Sequence, residues 1–169
     1  MISRYSYRDI TWIDMESPSR EEVLYIMEEF SIPSLVAEEA ISSTLHAKVE
    51  LYDALIYMIL HFPPSRVGSD RNTEQEIDFI IGEKFLITVH YENIYSIEQF
   101  AKSFESQNGF HQESKVLNGG FLFIKMMKQF YQHSLHKLDD LTKVIKEIEY
   151  YIFNGHEDKM VKKISDTGK

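Results

Sequence analysis

The sequence predicts an α/β fold: a mixed β-sheet flanked by helices, followed by a long amphipathic helix. Three observations predict it. Two apolar β-type runs, Glu76 to Ile81 and Phe85 to Tyr91, flank Gly82-Glu83-Lys84, which is the pattern of a hairpin. Apolar residues recur at helical spacing in Val23, Ile26, Met27 and Phe30, with acids between them. A stripe of alternating three- and four-residue steps then runs through Ile124, Met127, Tyr131, Leu138, Leu141, Ile145, Ile148 and Ile152.

Taken in order, Ile10 to Asp14 is short and β-rich, and reads as a strand. Ser17-Pro18 opens the first helix, with serine as cap and proline in the first turn. Ile32-Pro33-Ser34 breaks it, and a second helix follows from Leu35 to about Ser43. Lys48 to Leu51 and Ala54 to Phe62 read as strands, Pro63 to Thr73 as a loop, and the hairpin follows. Ile94 to Phe104 is helical, and Gln107-Asn108-Gly109 closes an α/β region of residues 1–110. Residues 111–169 hold the long helix, a stop at Asn154-Gly155, and the start of a further helix from Glu157 to Ile164. The long helix carries more apolar surface than the α/β body can cover, so its stripe is expected to be exposed in this chain or buried in a crystal or oligomer contact.

Composition narrows the function classes. The chain has 169 residues, a net charge of -9 and no cysteine. Disulfides, thiolate metal sites and cysteine nucleophiles are excluded. No basic stripe for nucleic acid is visible. No apolar stretch reaches the roughly 20 residues of a membrane helix. There is no phosphate-binding glycine loop, no nucleophile elbow and no HExxH, so nothing supports an enzyme.

Several residues could carry metal chemistry, and each has a plainer role. His133 and His136 sit at i, i+3 on the long helix, where a solvated face is the commoner outcome. His61 and His90 end strands, as structural histidines do. Asp139, Asp140, Glu147 and Glu149 form a polar side with Lys143 and Lys146 within pairing distance. Asp14-Met15-Glu16 precedes a helix start, where acids complement the helix dipole. Glu38-Glu39 is an adjacent acid pair on the second helix.

Four phrases in this order resemble the CorA family of divalent-cation transporters. They are Trp12-Ile13-Asp14 with Pro18 and Glu21-Glu22; Phe30 to Glu39, similar to "F-x-I-x-P-L-V-x-E-D"; Lys48 to Asp53, similar to "R-P-K-V-E-x-Y-D"; and the hairpin from Glu76 to His90. The resemblance covers about residues 10–153. It implies the cytosolic domain of a magnesium or cobalt transporter, on the cytoplasmic side of a bacterial or archaeal membrane. It also implies a homopentamer, with Mg²⁺ bound between subunits and a pore in membrane helices bearing Gly-Met-Asn, beyond this chain. Glu39 falls on the family's first regulatory acid and is the implied Mg²⁺ ligand. Its partner acid is expected on a later helix, so weak or no Mg²⁺ binding is expected of the chain alone. The family aspartate is Glu39 here, its Arg-Pro is His46-Ala47, and Lys125, Lys128 and Gln132 partly replace acids of its long helix. The rival reading is a stand-alone interaction module that binds a partner through the long helix.

Overall fold

A computed structural model describes residues 1–63, 74–106 and 117–154. Six strands form one sheet: β1 (Ile2–Tyr7), β2 (Ile10–Glu16), β3 (Lys48–Leu51), β4 (Leu55–Phe62), β5 (Gln75–Gly82) and β6 (Phe85–His90). Their order is β1-β2-β6-β5-β4-β3. The β2–β6 pair is parallel and every other pair antiparallel, so the sheet is mixed as expected. The predicted hairpin is β5–β6, in the middle of the sheet, with Ile80 opposite Ile87.

Strand alternation sends side chains to two cores. On one face Ile13, Met15, Tyr57, Ile59, Ile80, Ile87 and Val89 pack under α1 (Arg20–Glu29) and α2 (Ser34–Glu39). On the other, Trp12, Ile77, Phe79 and Leu86 pack under α3 (Tyr95–Glu105) and α4 (Gly119–Phe153). Both faces of β5 are therefore covered, which explains its continuous apolar run. Trp12 lies at the centre of the second core, stacked on Tyr5 at 4.6 Å and edge-on to Phe100 at 5.2 Å.

Three boundaries differ from the sequence expectation. β1 was not foreseen, because Ile2 to Tyr7 is a half-exposed edge strand with one aliphatic side chain. The cap of α1 is Ser19, not Ser17. Glu22 N donates to Ser19 Oγ at 3.2 Å and Ser19 N to Glu22 Oε2 at 2.8 Å, a closed capping box. Ser17 instead ends β2: with φ at 44° it donates its N–H to His90 O at 2.7 Å and its hydroxyl to Tyr91 O at 2.9 Å. α2 stops at Glu39, four residues short of the expected Ser43, and the Ala40 carbonyl accepts from Tyr91 Oη at 2.7 Å.

α4 is one continuous helix of 35 residues. Asn118 caps it, its Oδ1 accepting from Phe121 N at 2.7 Å. The buried residues that seat it on the sheet are Gly119, Leu122, Met126 and Phe130; of the expected seam, Met127 packs against the same core and Ile148 is also buried. Most of the seam faces outward: Ile124 is 59% exposed, Tyr131 66% and Leu138 58%. The expected start of a helix at Glu157 lies outside the described residues.

Candidate functional site

The α1/α2 face of the sheet carries a polar group at its β3 edge. Lys48 and Glu50 are alternate residues of β3, so both side chains lie on this face beside Tyr57 and Ile59. Glu39, the last residue of α2, meets them there. Lys48 Nζ donates to Glu39 Oε2 and, at 3.1 Å, to Glu50 Oε1. Glu50 Oε2 also accepts from Tyr52 Oη at 2.8 Å. The ammonium lies 5.1 Å from the Tyr57 ring centroid. Partial burial alone would lower the Lys48 pKa, but the two carboxylates more than offset this and raise it. Bonds from Tyr52 and Lys48 hold Glu50 below the usual carboxylate range.

Behind this group is a buried pair. Tyr57 Oη donates to Asp78 Oδ2 at 2.8 Å, and Asp78 is 1% exposed. Burial pushes the Asp78 carboxyl up to about 7, assisted by Glu76 and Glu39 and opposed by the bond from Tyr57. An acid with a raised native pKa stabilises the fold fully below its unfolded value of about 3.9, and loses that stabilisation as pH rises through the native pKa. Asp78→Asn keeps the acceptor for Tyr57 and removes the titration. Between about pH 5 and pH 8 the wild type is expected to lose on the order of 2 kcal/mol relative to this variant. Urea unfolding at both pH values measures the difference; parallel pH profiles would refute the assignment.

Next to the pair is an open cleft of about 370 Å³, lined by Ser43, Thr44, His61, Glu76, Tyr91 and Glu92 among others. His61 Nε2 lies 2.9 Å from Thr44 O and 3.3 Å from Glu76 Oε2. Thr44 N donates to Glu76 Oε2 at 2.7 Å. These contacts tie the loop after α2 to the sheet, the structural role expected of His61.

On the opposite face Asp14 corrects the sequence reading. It does not serve the dipole of α1. Its Oδ1 accepts from Thr88 Oγ1 at 2.5 Å and lies 3.2 Å from His90 Nε2. His90 Nδ1 is 2.6 Å from Glu92 O, so both ring nitrogens face acceptors. Burial would lower the His90 pKa, but the Asp14 carboxylate outweighs it and raises it. On α4, His133 packs its ring against Tyr95 at 5.1 Å, and burial lowers its pKa. Asp140 pairs with Lys143 at 2.7 Å, the solvated pairing expected of that face.

Among the described residues no three His, Asp or Glu side chains converge as a metal site. No described helix is long and apolar enough to cross a membrane. The structure therefore brings Glu39 to a cation, but that cation is Lys48. The pairing was not foreseen from the sequence because Lys48 lies nine residues away across a loop.

Comparison with known proteins places this architecture. The complete CorA magnesium transporter of Methanocaldococcus jannaschii is 17% identical, with a TM-score of 0.71 over 98% of this chain and 55% of that one. The soluble domain of the same organism's CorA is 18% identical, with a TM-score of 0.69 over 94% of this chain and 61% of that one. The cytoplasmic domain of ZntB from Vibrio parahaemolyticus is 12% identical, with a TM-score of 0.61 over 84% and 56%. The chain thus spans little more than half the length of these three structures, and at these identities they show the fold. No match is found among curated proteins. The family model for the CorA-like Mg²⁺ transporter protein matches residues 7–169, nearly the whole chain. The chain belongs to the CorA-like Mg²⁺ transporter family.

Proposed function

We propose that this chain is the cytosolic regulatory domain of a CorA-like divalent-cation transporter, carrying Mg²⁺ or Co²⁺. It senses Mg²⁺ and gates a pore in membrane helices outside these 169 residues. The observation that carries the reading is the family match over residues 7–169. The form of α4 supports it: a single helix whose first turns are seated on the sheet while Leu138, Leu141 and Ile145 remain exposed. Such a helix suits a rod that joins a sensing body to neighbouring helices.

Glu39 is the proposed Mg²⁺ ligand. Its hard carboxylate oxygen suits Mg²⁺, which keeps several waters and needs few protein ligands. Within this chain Glu39 shares the single ammonium of Lys48 with Glu50, so the group keeps a net negative charge; the second acid of the proposed site lies on a neighbouring subunit of a homopentamer. Without Mg²⁺ the facing acids repel and the interface loosens. The assembly lies on the cytoplasmic side of a bacterial or archaeal membrane.

Two measurements test this. The open reading frame is expected to continue into two apolar segments with Gly-Met-Asn after the first. A frame without them would favour a stand-alone interaction module working through α4. In the complete protein, Glu39→Ala is expected to weaken the inhibition of transport by Mg²⁺; unchanged inhibition means that Glu39 is not a sensor ligand.

A further inference from the structure

Glu39 is not a free carboxylate waiting for a metal. Lys48 Nζ donates to it and to Glu50 Oε1, and lies over the Tyr57 ring. The three charged side chains are each about one-third exposed, so solvent and ions reach them. β3, which carries Lys48, is one of the two edge strands of the sheet.

We propose that Lys48 is a tethered cation that occupies Glu39 and competes with divalent cations for it, setting the concentration at which a metal takes over. The inference rests on the reading of Glu39 as a Mg²⁺ ligand. Direct ligation needs a carboxylate oxygen, and one is held by the ammonium. An ammonium and a divalent cation on one carboxylate repel each other, so metal entry requires Lys48 to swing out. The edge position gives the side chain open space in which to do so. Departure forfeits the bonds to two carboxylates and the contact with the Tyr57 ring. The cost falls on metal binding, and affinity is lowered without any loss of ligands.

The chain alone is expected to bind weakly, so the test titrates the ¹⁵N-labelled 169-residue chain into the millimolar range of Mn²⁺, a paramagnetic stand-in for Mg²⁺. Broadening of the backbone amides around Glu39 reports occupancy, and excess Mg²⁺ should reverse it. Lys48→Met keeps the apolar stem and removes the charge. It is expected to lower half-saturating Mn²⁺ about fivefold, near the upper end of what a partly exposed ion pair contributes. Lys48→Arg should behave as wild type, and the gain should vanish in the double variant with Glu39→Gln. Lys48→Gln serves if the methionine variant misfolds, as its amide spectrum would show. An unchanged half-saturation in the neutral variants, no broadening near Glu39 in either the wild type or Lys48→Met, or a gain that survives Glu39→Gln would overturn the proposal. Failure here with Mg²⁺ inhibition still dependent on Glu39 would leave the sensor reading standing. A gain here with inhibition indifferent to Glu39→Ala would remove the sensor role and keep the competition.

Discussion

Replacing Trp12 by alanine is expected to cost about 4 kcal/mol of folding stability, the largest effect of any single truncation proposed for this chain. Trp12 is fully buried in the middle of the second core. Its ring is stacked on Tyr5, edge-on to Phe100 and tilted against Phe104 at 5.9 Å. It therefore joins β1, β2 and α3 at one point, and its loss leaves a cavity that three rigid elements cannot close. The indole adds a polar link, Nε1 donating to Thr88 Oγ1 at 3.0 Å. Thr88 in turn donates to Asp14, which faces His90. Trp12→Phe should therefore cost less, about 1–2 kcal/mol, because ring packing survives and the hydrogen bond does not. Urea unfolding of both variants measures this. A loss below about 1 kcal/mol for the alanine variant would show that Tyr5 and Phe104 refill the space.

Gly119→Ala is expected to be the second most damaging change, at about 3 kcal/mol. Gly119 is the first residue of α4, and its N–H donates to Glu83 O at 3.0 Å in the turn between β5 and β6. A Cβ there would overlap the backbone oxygens of Phe85 and Gly82. Neither is a side-chain end that can rotate aside, so the helix start or the central hairpin must shift. Gly120 is the matched control. A Cβ at Gly120 would approach only Asn118 Oδ1, at 3.4 Å. Gly120→Ala should be neutral or slightly stabilising, since alanine is the better helix residue. Thermal unfolding of the two variants decides it, and equal midpoints would mean that α4 is not seated on the turn backbone.

What could be read in the sequence follows from how local each signal is. The β5–β6 hairpin was legible because its apolar runs and its turn lie within sixteen residues, Gln75 to His90. The helix starting after Pro18 was legible, but its cap was misassigned. Ser17 and Ser19 both suit a cap, and only the reciprocal bonds with Glu22 distinguish them. α4 carries two apolar stripes, one through Leu122, Met126 and Phe130 and one through Ile124, Tyr131 and Leu138. Helical spacing finds both and cannot say which meets the sheet. Asp14 looked like a helix-dipole acid because its partners, Thr88 and His90, are 74 and 76 residues away. Family resemblance singled out Glu39 from the Glu38-Glu39 pair as a candidate ligand. The partner that its carboxylate bonds, Lys48, becomes visible only when α2 and β3 are placed side by side.

The parallel pairing of β2 with β6 also bears on how the chain acquires its fold during synthesis. Thr11 pairs with Phe85, so the first hairpin must wait for more than seventy further residues before it gains its neighbour in the sheet. Until then β1–β2 is an isolated two-stranded ribbon, a structure of marginal stability in water. The run from β3 to β6 is a succession of antiparallel neighbours adjacent in sequence, so it can collapse through contacts more local than the β2–β6 pairing. The order of assembly should therefore invert the order of translation at the N-terminus. The meander forms first, and β1–β2 docks onto it last, closing the longest loop in the chain. On the ribosome this leaves the N-terminal segment exposed to chaperones and proteases until β6 has emerged from the exit tunnel.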